Sequence, residues 1–259
     1  MDIFQAIILG VVEGITEFLP ISSTGHLILA NKLLAISQTD FIKSFEIAIQ
    51  AGAILAVVVL YWKLFLSWPV LKRIITAFVP TGILGFIFYK IVKTYLLGSE
   101  KTVLWALLIG GLFLILFELF YKKKSQEGLI QASGGIPYKK CFLIGCFQSI
   151  AMVPGVSRSA ATIVGGLLSG ISRKAIVEFS FLLAVPTMIA ATGYDLLKSA
   201  GNFELNQVKF LIIGAGVSFL TAILGIKFLL KFIQKNTFIP FGIYRIVLAL
   251  LFFIFVIKF

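Results

Sequence analysis

Two carboxylates and the only histidine of the chain, Glu13, Glu17 and His26, fall within one apolar stretch. Burying a carboxylate is costly unless something compensates it. Glu13 and Glu17 are four residues apart, so on a helix both face one side, one turn from each other. Like charges that close repel in a low dielectric, and a divalent cation relieves them. Oxygen ligands of this kind suit Mg²⁺ or Ca²⁺. Far along the chain, Arg158 is the only charge between Cys141 and Ser172, and Ser157, Ser159 and Thr162 surround it. A guanidinium there requires an anionic partner, and phosphate fits its fork. Gly155 and the serines open a helix whose first N–H groups and positive dipole end point to the same place. Brought together, these groups suit metal-assisted phosphoryl transfer. Glu13 and Glu17 hold the cation, Arg158 neutralises phosphate charge, and Ser22, Thr24, Gln148, Ser157, Ser159 and Thr162 contact the phosphates. Ser23 or water attacks, and His26 moves the proton.

The elements that must position these residues lie in a membrane. The 259 residues are 59% hydrophobic and 13% charged, with a mean hydropathy of +1.06, which excludes a soluble globule and a disordered chain. The formal charge of +12 comes from cations set singly or in short clusters between apolar runs. That pattern belongs to membrane loops facing anionic lipid, and no basic block with interleaved aromatics supports nucleic-acid binding. Cys141 and Cys146 have no further Cys or His beside them and read as small hydrophobes. Asp2 stands where a signal peptide has a basic region, so the N-terminal segment is expected to remain in the mature protein.

Charge-free runs at 47 to 62, 74 to 89, 102 to 117, 179 to 194 and 210 to 226, and at 236 to 257 with Arg245 inside, predict six spanning helices. The first five runs fall short of the usual span of about 20 residues, and flanking lysines that snorkel to the headgroups would extend them. Residues 3 to 35 and 141 to 172 are also apolar, but FLPISSTGH at 18 to 26 and VPGVSRSAAT at 153 to 162 break them. Each half is too short to cross, so both predict re-entrant helix hairpins, 2 to 35 and 138 to 172, with irregular backbone buried in protein or lining water. Gly10, Glu13, Pro20 and Ser23 correspond to Gly145, Gln148, Pro154 and Ser157 at a near-constant offset, which indicates an internal duplication, 1 to 124 and 135 to 259. One hairpin and three crossings per half invert the second copy relative to the first. The fold expected is therefore all-α and integral to the membrane, an inverted-topology repeat in a single membrane domain. Loops around 63 to 73, 122 to 140, 173 to 174 and 227 to 235 carry 13 Lys and Arg against 8 on the other side, which makes that set cytoplasmic and opens the first hairpin outward.

EGITEFLPISSTGH and PGVSRSAAT resemble the two signatures of the undecaprenyl-diphosphate phosphatase family, the bacitracin-resistance proteins, and EFSFLLAVPTM at 178 to 188 is similar to a third family stretch. The resemblance spans nearly the whole chain. It implies a bacterial plasma-membrane hydrolase that removes the terminal phosphate of undecaprenyl diphosphate and so recycles the carrier lipid for peptidoglycan synthesis, with its site open to the outer face. It places the acidic motif on Glu13 and Glu17, the serine on Ser22 or Ser23, the histidine on His26 and the phosphate-binding arginine on Arg158. The partners expected are the polyprenyl diphosphate and membrane lipids, with a homodimer open. Whether Ser23, His26 or water is the nucleophile stays open, with Ser23 favoured. A lipid-phosphate flippase would use the same inverted scaffold and arginine, but it has little need of a metal pair beside Ser and His. Glu178 reads equally as a partner of Arg158 or as an acid at a helix start. Arg245 and Glu118 are expected to pair or snorkel without a catalytic role, and Gly14, Gly165 and Gly166 to permit close helix packing.

Overall fold

The computed structural model describes residues 1–96, 99–121, 135–199 and 205–257, and these residues are helical with short connections. Ten α-helices follow in order: α1 Ile3–Thr16, α2 Ser23–Leu33, α3 Asp40–Phe65, α4 Trp68–Ile91, α5 Glu100–Phe120, α6 Tyr138–Ser149, α7 Arg158–Leu168, α8 Arg173–Ser199, α9 Leu205–Phe232 and α10 Ile239–Phe252. Five are long and apolar enough to cross a membrane: Asp40–Phe65, Trp68–Phe88, Glu100–Phe120, Gln207–Phe232 and Ile239–Val256. The chain is a multi-pass membrane protein. The sixth expected run, 179 to 194, lies within the 27-residue α8, several of whose later side chains are outside the described residues.

The helices outrun the charge-free stretches. Helix α3 starts at Asp40 and takes Lys43 and Glu46 into its first two turns, and α9 includes Lys209, Lys227 and Lys231. At 1.5 Å per residue, 26 residues reach about 39 Å, past the hydrocarbon into the headgroups. No extra length has to come from snorkelling, because a charge at the interface does not end a helix.

Each broken segment folds into two short helices that pack on each other, α1 with α2 and α6 with α7. Asp2 Oδ1 accepts from Gln5 N at 2.8 Å while Gln5 Oε1 accepts from Asp2 N at 2.9 Å, a capping box that starts α1. Helix α1 stops at its polar turn. Ser22 then adopts φ +70°, and its hydroxyl accepts from Gly25 N to begin α2. Ser157 does the same for α7, accepting from Ala160 N at 3.2 Å.

Helix α8 organises the interior. Its residues Ala175–Val177, Phe179 and Phe181–Ala184 are wholly buried, as expected of a helix apolar on every side. Helices α3, α4 and α7 pack around it. Outside, Phe86 and Phe120 are more than 80% exposed, a surface that only lipid suits. Helix α1 packs on α9, α6 on α4, and α5 on α10. Small residues make the first two contacts close. A Cβ on Gly10 would stand 2.7 Å from the Gly214 carbonyl oxygen, and one on Gly145 would overlap the Ala77 carbonyl. Gly14, Gly165 and Gly166 likewise have no room for a methyl, against α9, Phe147 and Ile176 respectively.

At one end, a single carboxylate joins three helix ends. Arg173, opening α8, grips Glu118 with both terminal nitrogens, Nη2 lying 2.7 Å from Oε2. Glu118 Oε1 also accepts from Phe238 N at 3.0 Å, and so supplies α10 with the cap its own sequence lacks. Glu118 therefore pairs with Arg173, and Arg245 is held elsewhere.

Gly145→Leu is expected to cost about 1–3 kcal/mol by overpacking, read as a lower midpoint in denaturing-detergent titration. Gly85→Ala, whose added methyl meets nothing within 4 Å, should leave the midpoint where it is.

Candidate active site

The polar turns of the two hairpins meet. Arg158, the first residue of α7, places Nη2 3.2 Å from Glu17 Oε1, with the two side chains only 11% and 9% exposed. Its Nη1 donates to the Ser180 carbonyl at 3.0 Å, and its guanidinium lies over the Phe18 ring, 5.9 Å from the centroid. Ser159 donates to the Phe18 carbonyl at 2.8 Å and Ser157 to the Leu19 carbonyl at 3.4 Å. The second hairpin thus satisfies turn carbonyls of the first that no helix can reach.

Glu17 stands at the centre. It ends α1, its N–H donating to the Glu13 carbonyl at 2.9 Å. One carboxylate oxygen faces Arg158, and the other accepts from Ser23 Oγ at 2.6 Å. A short O–H···O⁻ contact of this kind is a strong, charge-assisted bond. Ser23 hydroxyl, Glu17 carboxylate and Arg158 guanidinium therefore form one continuous chain across both hairpins.

His26 bonds away from Ser23. Nδ1 lies 2.8 Å from the Ser22 carbonyl and Nε2 2.8 Å from Tyr244 Oη. Both ring nitrogens are engaged, neither with Ser23, whose proton points to Glu17 instead. The expected phosphate contacts are also partly committed to protein. Ser157 and Ser159 hold the Phe18–Leu19 turn, Thr162 bonds Ser180 Oγ at 2.6 Å, and Gln148 donates to Thr81 and Thr187 at 2.9 and 3.0 Å. Ser22 caps α2, and Thr24 is exposed. Glu178 makes no ion pair with Arg158, whose carboxylate partner is Glu17.

Glu13 is fully buried, and neither carboxylate oxygen has a partner. An orphaned carboxylate at this depth fits a cation. Among the described residues no three His, Cys, Asp or Glu side chains group to hold one, so Glu13 would need further oxygen ligands from outside the protein, such as water. The Arg158 Nε–H is also buried without a partner, a donor free for an anion.

The profile of the bacitracin resistance protein BacA matches residues 6–251. The chain belongs to the BacA family. Relatives called undecaprenyl-diphosphatase include one from Sulfurihydrogenibium sp., 57% identical over 254 residues, which are 98% of this chain and 99% of the relative. Another, from Persephonella marina, is 55% identical and covers 99% of this chain and 100% of its own length. That of Aquifex aeolicus is 51% identical, covering 97% of this chain and 98% of its own length. Two further residues, Ser180 and Tyr244, touch this cluster without having been expected there. Ser180 lies inside the EFSFLLAVPTM stretch already noted for its resemblance, but nothing in an apolar helix showed that its carbonyl accepts from Arg158 and its hydroxyl meets Thr162. Tyr244 precedes Arg245, the one charge inside an apolar run, and that adjacency was the available signal.

Ser159→Ala should leave the Phe18 carbonyl unsatisfied. The expected loss is about 1–3 kcal/mol, measured by denaturing-detergent titration, with unchanged stability counting against the tie between hairpins.

Proposed function

We propose that this BacA-family chain hydrolyses undecaprenyl diphosphate to undecaprenyl phosphate and inorganic phosphate at the meeting point of its hairpins, so returning the carrier lipid to peptidoglycan synthesis. The hydrogen-bonded chain from Ser23 through Glu17 to Arg158 carries this reading. When the diphosphate head enters, Arg158 turns its fork and its free Nε–H to the phosphate oxygens. Glu17, already bonded to the Ser23 hydroxyl, takes its proton. Ser23 Oγ attacks the terminal phosphorus, the bond to the bridging oxygen breaks, and undecaprenyl phosphate leaves. Water then attacks the phosphoserine and releases phosphate, with Glu17 returning the proton to Ser23. The N-terminus of α7 adds N–H donors and a favourable dipole for the anion.

The chemistry of the donor set calls for a divalent cation, Mg²⁺ or Ca²⁺, held by Glu13 and, once Arg158 has turned away, by Glu17. Bound there, it would neutralise charge on the phosphates.

The packing supports an inverted repeat of 1 to 124 and 135 to 259, with six crossings and two re-entrant hairpins. Contact of α1 with α9 has its counterpart in α6 with α4, including the matching close approaches at Gly10 and Gly145, while α5 meets α10 and α3 meets α8 across the axis. Equivalent pairs of this kind are what a two-fold relation between the halves produces. With the more basic loops cytoplasmic, the first hairpin and the site open to the outer face.

The test is phosphate release from a prenyl diphosphate by detergent-solubilised protein. Glu17→Gln, Ser23→Ala and Arg158→Lys should each lower kcat by about 10²–10⁴-fold, and chelation should abolish turnover. Acid quench with substrate labelled at the terminal phosphate should trap a phosphoserine at Ser23. Unchanged release in the Glu17 and Arg158 variants would sink the site, and full turnover with no phosphoserine would remove the covalent step. Thermal stabilisation by Mg²⁺ in the absence of substrate should disappear in Glu13→Gln; its persistence would move the cation elsewhere.

A further inference from the structure

Helix α10 belongs to neither hairpin, yet two consecutive residues on it reach both. Tyr244 and His26 lie side by side, their rings within 7° of parallel and 5.5 Å apart at the centroids, with Oη 2.8 Å from Nε2. The hydrogens of this contact can be assigned from chemistry alone. The Ser22 carbonyl, 2.8 Å from Nδ1, can only accept, so Nδ1 carries the ring proton. In a neutral imidazole the other nitrogen is then bare and accepts, so the phenol must donate to it. Ser22 and Tyr244 together permit one tautomer and one ring orientation.

The next residue fixes where Tyr244 stands. Arg245 is 1% exposed and has no carboxylate among its hydrogen-bond partners. Its guanidinium donates to the carbonyls of Ala106 at 2.8 Å, Leu107 at 3.4 Å and Gly155 at 3.1 Å. The first two belong to α5. The third belongs to the turn of the second hairpin, where Gly155 takes φ +91° and an added Cβ would lie 2.8 Å from Val103 Cα. Three carbonyl acceptors in a fork hold α10 in both height and rotation.

We propose that Tyr244 is a positioning residue for His26, keeping the imidazole in the Nδ1–H tautomer with Nε2 as an acceptor, and that Arg245 sets Tyr244 by tying α10 to α5 and the second hairpin. The proposal rests on the phosphatase reading and on His26 moving a proton there, beside Glu17 as the base for Ser23.

His26 is the only histidine, so full-length protein labelled with ¹⁵N-histidine in micelles yields ring resonances from this residue alone. Without substrate, the native protein should show a protonated Nδ1 and a bare, hydrogen-bonded Nε2. In Tyr244→Phe, which keeps the ring, Nε2 should move towards the free acceptor position while Nδ1 stays. In turnover the same variant should lose about tenfold in kcat with KM nearly unchanged. Arg245→Lys, which keeps the charge but loses the fork, should shift the Nε2 resonance in the same direction. A native protein with the proton on Nε2, or a Tyr244→Phe protein with the Nε2 signal unmoved, overturns the assignment whatever the activity. A moved signal with full kcat overturns the role in turnover, and an unmoved signal in Arg245→Lys overturns the anchoring.

Discussion

The pairing of Glu17 with Arg158 is the constraint on which the molecule turns. Each side chain, left alone among apolar helices, would be a buried charge without compensation, and breaking such a pair costs about 3–5 kcal/mol. Because the partners come from turns 141 residues apart, this requirement brings the two hairpins tip to tip. Replacing the pair with well-packed hydrophobic residues would serve stability equally well. The pair is better understood as a site kept ready: the carboxylate and guanidinium neutralise each other until an anion arrives that can take the guanidinium.

Near-duplicate positions in the two hairpins show how one half specialised. Gly10 and Gly145 make equivalent close contacts with α9 and α4. Three residues on, the halves differ. Gln148 directs its amide nitrogen to Thr81 and Thr187, which leaves only its oxygen without a partner. Glu13 has no such neighbours for its oxygens. A carboxylate cannot donate, and at this position nothing donates to it. The amide is anchored by its donor side to both halves, whereas the carboxylate is anchored by neither oxygen and remains available to something from outside.

The broken hairpins were readable in the sequence because polar, proline-bearing stretches interrupt otherwise apolar runs, and a bilayer tolerates few ways of doing that. Lone charges called for partners, phosphate for Arg158 and a cation for Glu13 and Glu17, whereas the direct pairing of Glu17 with Arg158 is a finding of the structure. Contacts made by uncharged groups were not readable. A serine before a helix announces a cap, but not whether its hydroxyl also reaches across to Leu19, and a tyrosine inside an apolar run looks like any packing aromatic. His26 was expected to move the proton, but nothing in the sequence showed that its ring turns towards Tyr244 of α10. Nor could apolar composition distinguish α8, whose apolar residues from Ala175 to Ala184 are buried, from α5, which shows Trp105 and Ile109 to lipid, since both environments favour the same residues.

The knot at Glu118 has a mechanical corollary. That carboxylate caps α10 six residues before Tyr244 and seven before Arg245, and it also holds the start of α8, the helix that offers its Ser180 carbonyl to Arg158. Two of the struts bearing on the reaction centre are thus bolted at a common foot, well away from the chemistry. Loosening that bolt would tilt both struts at once, so a lesion at the edge of the membrane would be felt as misalignment in its middle.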